Sequence, residues 1–139
     1  MKFKWILVFF LCLSVLQPAY PQDATSNQLH WQVEKWFEGH TGIMHEDPGK
    51  LITNINGKIQ WVAYDGIIIQ EYTIESGQGA WYTISMNGAY TWVINDGTLK
   101  GTATMERTGN QLLARIILAD ETEPKIFEFT LTGVQQHEP

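Results

Sequence analysis

Asn56-Gly57, Asp65-Gly66, Asn87-Gly88 and Asp96-Gly97, with Thr108-Gly109-Asn110 after them, cut the chain beyond residue 50 into short segments. Asn-Gly and Asp-Gly reach positive φ at both central positions, the geometry of tight hairpin turns whose twist suits paired strands. The runs between them are rich in Ile, Val, Thr, Tyr and Trp. Strands are expected near residues 41–45, 50–55, 58–64, 67–75, 80–86, 89–95, 98–106, 111–119 and 125–132. Successive hairpins at this spacing make an all-β, antiparallel up-and-down meander of 8–9 strands. Closing it into a barrel removes its exposed edges.

Ahead of the meander, Leu29, Val33, Trp36 and Phe37 recur at i, i+4, i+7 and i+8. That spacing predicts one short N-terminal helix, capped by Ser26 or Asn27 and ended by Gly39. The chain itself opens with Met1-Lys2-Phe3-Lys4 and an apolar block from Trp5 to Leu16, followed by Pro18, Ala19 and Pro21. The block falls short of the about 20 residues that span a bilayer. A charged start, an apolar middle and small or helix-breaking residues together read as a signal peptide over residues 1–21. A single β-barrel domain over 22–139 follows, secreted or periplasmic. Cys12, the only cysteine, belongs to the leader, so the exported domain depends on its core rather than on disulfides. Losing Lys2 and Lys4 leaves seven basic residues against fifteen acidic ones, a formal charge of −8. Nucleic acid and anionic membrane surfaces attract basic patches, so neither is an expected partner.

Turn positions propagate register from strand to strand. Across Asn87-Gly88, Trp81, Thr83 and Ser85 would face Ile94, Trp92 and Tyr90. Across Asp96-Gly97, Tyr90, Trp92 and Ile94 share a side with Leu99, Gly101 and Ala103. Leu112, Ala114, Ile116 and Leu118 join them, while Lys100, Thr102, Thr104, Glu106, Gln111 and Arg115 take the other side. The earlier hairpins give an inward row of Ile52, Asn54, Ile59, Trp61, Ala63, Ile68, Gln70, Tyr72 and Ile74. The last strand adds Phe127, Phe129 and Leu131. The expected interior is thus apolar and aromatic, with Asn54, Gln70, Thr83 and Ser85 as polar exceptions. Such groups need partners, either in the protein or in a wet cavity.

The outward side also carries Leu51, Ile55, Val62, Tyr64, Ile67, Ile69, Tyr82, Ile84, Met86 and Val93. An apolar patch of that size marks a partner surface, such as a homodimer contact. Outer-membrane barrels alternate similarly, but Lys100, Glu106 and Arg115 on the outer face and the polar end His137-Glu138-Pro139 argue against a membrane-spanning barrel.

The run Trp36-Phe37-Glu38-Gly39-His40-Thr41-Gly42, leading into a meander, resembles the opening of calycin-type barrels: lipocalins, fatty-acid-binding proteins and nitrobindin-like proteins. Those families place a Gly-x-Trp near the first strand; here Gly39-His40-Thr41 has Thr in the Trp position. The resemblance implies a lipocalin-like barrel holding an apolar small molecule, and it names no cofactor.

Little else points to chemistry. His40 and His45, with Glu46 and Asp47, fall on opposite faces of an extended strand and read as surface residues rather than metal ligands. No mature cysteine offers a nucleophile, no glycine-rich loop precedes a helix, and Glu71, Glu75, Glu106 and Glu128 map outward. No catalytic residue is therefore expected. The expected function is non-catalytic binding of an apolar or aromatic ligand inside the barrel. Asn54, Trp61, Gln70, Tyr72, Trp81, Thr83, Ser85, Tyr90, Trp92, Phe127 and Phe129 would face it. The alternative is an interaction module with a packed core that works through its outer apolar strands.

Overall fold

A computed structural model describes residues 23–136; the expected leader with Cys12, and His137 in the tail, lie outside the described residues. The strands are β1 (Leu29–Glu38), β2 (Ile43–His45), β3 (Gly49–Ile55), β4 (Lys58–Ala63) and β5 (Ile68–Gly79). They continue with β6 (Gly88–Asn95), β7 (Lys100–Thr108), β8 (Gln111–Leu118) and β9 (Lys125–Gln136). All neighbours are antiparallel, and β9 returns to pair with β1 from Leu29↔Gln136 to Glu38↔Phe127. That last ladder closes the sheet into an eight-stranded barrel with β2 as an additional short strand. No helix occurs among the described residues.

β2 and β3 both lie on the β1 edge that β9 leaves free, with Trp36↔His45 in one ladder and Val33↔Gly49 in the other. They act as one wall strand interrupted at residues 46–48, where Pro48 has no N–H to donate.

The segment expected to be helical is β1. Its inward positions begin Leu29, Trp31, Val33, all buried, with the exposed Gln32 and Glu34 between later members. Register shifts at Gln32/Val33 and Val33/Lys35 then insert a bulge, and the next residue packed against the core is Trp36. A bulge reverses the alternation, so a strand here acquires the three-residue step that imitates a helical face. The strand prevails because only an extended segment can join β3 to β9 and seal the barrel.

A second correction concerns residues 80–86, which form a loop instead of a strand. β5 runs on through Ser76-Gly77-Gln78-Gly79 and pairs with β6 directly, as in Ile74↔Ile94 and Gly77↔Trp92. Gly77 leaves room for the end of the Tyr90 side chain, which a Cβ there would overlap. Thr83 and Ser85 consequently do not face Trp92 and Tyr90 across a hairpin.

A third correction lies in β3. The Ile55↔Lys58 pair forms as the Asn56-Gly57 turn predicts, but the ladder has shifted by Ile52↔Gln60. Asn54, at φ 57°, is the irregular residue. The shift turns Leu51 and Thr53 into the barrel and leaves Ile52 buried outside the core cluster. Beyond it, Ile59↔Tyr72 and Trp61↔Gln70 pair as expected, yet a further shift leaves both Ile68 and Ile69 exposed.

From β6 onward the expected faces hold. Trp92, Ile94, Ala103, Leu112, Ala114, Ile116, Leu118, Phe129 and Leu131 are all buried, and Leu99 packs against them. Lys100 is exposed and pairs with Glu75. The β6–β7 turn spans four residues, closed by Asp96 N to Leu99 O at 3.0 Å. Register therefore moves by two, giving Trp92↔Ala103, which preserves the facing of every side chain.

The end of the barrel below Leu29 is closed by the chain itself. Ala24 is fully buried and its N–H donates to Trp81 O at 3.0 Å. Trp81 and Ile84, brought by the 80–87 loop, are buried against it, and the Trp31 and Trp81 rings lie 5.7 Å apart. Arg107 Nε holds the loop by donating to Ile84 O at 2.7 Å.

Candidate functional site at the barrel rim

The bulge in β1 determines the opposite end. By reversing the alternation it aims Trp36 and Glu38 toward the interior side, opposite His45, Phe129 and Phe127 in the flanking ladders. Trp36 stacks on His45 with centroids 3.8 Å apart and planes at 9°. On another side it meets Trp61 almost perpendicularly, at 4.7 Å and 84°. Trp61 in turn contacts Phe127 and Phe129 edge to face. Perpendicular packing sets the electropositive edge of one ring against the electron-rich face of another, so these side chains hold a fixed corner.

Polar contacts fix the same rim. His45 Nε2 donates to Glu38 Oε1 at 2.9 Å, and Thr41 Oγ1 donates to Glu38 Oε2 at 3.1 Å. The Ile126 N–H donates to His40 Nδ1 at 3.3 Å, which ties the β1–β2 turn to the start of β9.

Beside the tryptophan corner opens a cleft of about 380 Å³. Its walls are Trp36, Trp61, Tyr64 and Ile69, and Asp47 and Asp65 also line it. The β4–β5 turn supplies Tyr64 and Asp65; Ala63 N donates to Ile67 O, and Asp65 Oδ1 accepts from the Ile67 N–H. A separate groove of about 500 Å³ runs over the outside of the barrel, where Phe37, Met44, Leu113 and Ile117 flank the Arg115–Glu128 ion pair.

The residues expected to face a ligand divide into three groups. Trp61, Tyr72, Trp81, Trp92 and Phe129 are buried in the core, and Tyr90 and Phe127 pack against it. Asn54 is inside and fully engaged: Nδ2 donates to Ala24 O and Asn27 O, both at 2.9 Å, and Oδ1 accepts from Trp92 Nε1 at 3.2 Å. Gln70 is half-buried and donates to Glu71 O, Thr83 is half-buried in the loop, and Ser85 is exposed. The polar exceptions thus find protein partners or solvent. No buried side-chain N or O among the described residues lacks a hydrogen bond. Burial, reinforced by the charge of Asp96, raises the Tyr72 phenol well above its ordinary range.

Among these residues only Trp61 borders the cleft. An expected helix over 29–37 hides Trp36, and taking His40, His45, Glu46 and Asp47 as surface residues hides Asp47. Had β1 been read as a strand, a hairpin over Gly39–Gly42 would have placed Trp36 opposite His45. Among the described residues no group of three or more His, Cys, Asp and Glu side chains is arranged to hold a metal ion, and no helix is long and apolar enough to cross a membrane.

No family model matches the chain, and no curated protein or solved structure matches it.

Proposed function

We propose that the chain is an exported, calycin-like barrel that binds a small apolar or aromatic molecule without catalysis, and that the molecule sits in the rim cleft. The perpendicular Trp36–Trp61 corner carries this reading, because it gives the cleft a rigid aromatic wall. A volume of about 380 Å³ falls in the range of about 300–1,000 Å³ usual for small-molecule sites. An eight-stranded barrel has an interior just wide enough for side chains or one small ligand. Here Trp31, Tyr72, Trp92 and Phe129 are fully buried within it, which favours the rim over the lumen. The charged start and apolar block of residues 1–16 support export.

Native mass spectrometry of the exported protein, purified without detergent, tests this. A mass excess released on denaturation, and lost in Trp36→Ala, is the expected result. An unliganded spectrum that small aromatic probes do not change would overturn it.

One observation favours the interaction-module reading: Tyr64, Ile67, Ile68 and Ile69 are 86, 65, 46 and 49 % exposed around a single turn. A mass of twice the monomer, returning to one in Ile67→Lys, would transfer the function to that surface.

A further inference from the structure

Resting on the rim-cleft reading, we infer that the cleft selects a small organic cation: an ammonium group, preferably methylated, carried on a compact apolar body.

Three features converge. The cleft is bordered by Trp36, which is stacked on His45 on one side, by the largely buried Trp61 set at 84° to it, and by the strongly exposed Tyr64. Aromatic faces attract cations through their quadrupole, with Trp the strongest partner, and sets of two or three rings are the usual receptor for methylated ammonium groups. Asp47 and Asp65 also line the cleft, one from the break between β2 and β3 and the other from the β4–β5 turn. No Lys or Arg is part of the lining, so an anionic ligand would meet two carboxylates without a compensating charge.

Neither carboxylate is committed to a strong ion pair. Asp65 accepts one backbone hydrogen bond, from Ile67 N at 3.2 Å. Asp47 is 79 % exposed, with Oδ2 at 4.0 Å from His45 Nδ1. Both can therefore turn toward a ligand. A methylated ammonium suits such a site better than a primary amine, because its weaker hydration lowers the cost of entering an aromatic corner. The expected charge of −8 on the exported chain adds a long-range field of the same sign.

The test compares three probes of similar size, benzyltrimethylammonium, benzyl alcohol and benzoate, by tryptophan fluorescence and calorimetry on the exported protein. Benzyltrimethylammonium should bind about tenfold or more tighter than benzyl alcohol, and benzoate should bind weakest. The double variant Asp47→Asn, Asp65→Asn should remove most of that preference, weakening benzyltrimethylammonium far more than benzyl alcohol. Both positions are exposed, so its thermal midpoint should stay near that of the parent. Added salt should weaken the cation and spare the alcohol. Equal binding of cation and alcohol, or a preference that survives the double variant, would overturn the inference while the rim-cleft reading stands. Failure of all three probes to bind would overturn both.

Discussion

Trp92 in β6 donates its indole N–H to Asn54 Oδ1 at 3.2 Å, although the two residues are 38 positions apart and belong to non-adjacent strands. Asn54 spends its amide on Ala24 O and Asn27 O, and its backbone holds a φ of 57°. One side chain thus joins the closing segment, the β3 bulge and the core. Asn54→Ala should destabilise by about 2–4 kcal/mol, since it strands a buried indole donor and places Ala at positive φ. Asn54→Gly relieves the backbone part and should cost less. Denaturant midpoints of the two variants check the ordering.

Thr53, the one fully buried polar side chain among the described residues, accepts from Trp31 Nε1 at 2.9 Å. Thr53→Val keeps the shape but leaves the indole N–H without an acceptor, at a cost of about 1–3 kcal/mol. Thr53→Ser keeps the acceptor and should be milder, as thermal unfolding of both proteins would show.

Gly101 lies so close to β8 that a Cβ would overlap the Ile117 carbonyl. The obstacle is backbone in a closed ladder, which cannot step aside as a flexible side chain can. Gly101→Ala should therefore cost at least about 3 kcal/mol or prevent folding, read from the yield of soluble protein and its urea midpoint.

Stability should fall at both extremes of pH for opposite reasons. Buried Tyr72 keeps its proton when folded, whereas an unfolded chain releases it above its ordinary value of 10.0. Its contribution is complete below that pH and declines above it. Phenolate absorbance should show Tyr72 titrating only on unfolding. For Asp96, partial burial opposes ionisation, but the N–H groups of Leu99 and Thr98 and the charge of Lys125 outweigh it and lower its pKa. Its contribution is present above the ordinary 3.8 and is lost as pH falls through the lowered value. Asp96→Asn should flatten the acid limb of a stability–pH profile.

The Arg115–Glu128 pair, at 3.1 Å, is 58 and 45 % exposed. Arg115→Ala should change stability by less than about 1 kcal/mol, because water and salt screen the pair. A larger loss in chemical denaturation would mean that the outer groove depends on it.

The legible part of the fold was the part where an error of register leaves the facing unchanged. Trp92, Ala103, Ala114 and Phe129 were correctly assigned to one interior, although the Asp96-Gly97 turn is longer than two residues. A slip of two preserves parity; a single bulge does not. The bulges at Val33 and Asn54 each reversed one strand, hiding Trp36 in the first case and exchanging Leu51 for Ile52 in the second.

The 80–87 segment misled for another reason. Its alternation of Trp81, Thr83 and Ser85 fits a strand, while Gly77 and Gly79 look like a stop. Only the tertiary structure shows that Tyr90 lies over Gly77 and Trp81 over Gly88. The cleft was least legible of all, since its aromatic corner and its two carboxylates come from three separate stretches of chain.

The interruption at residues 46–48 gives the barrel an unstitched seam. The ring is continuous past the seam through the β1–β9 ladder on one edge of β1 and the β1–β3 ladder on the other. Pro48 and Asp47 lie both in that seam and in the cleft. The part of the wall without ladder pairing is therefore the part that the proposed guest would touch.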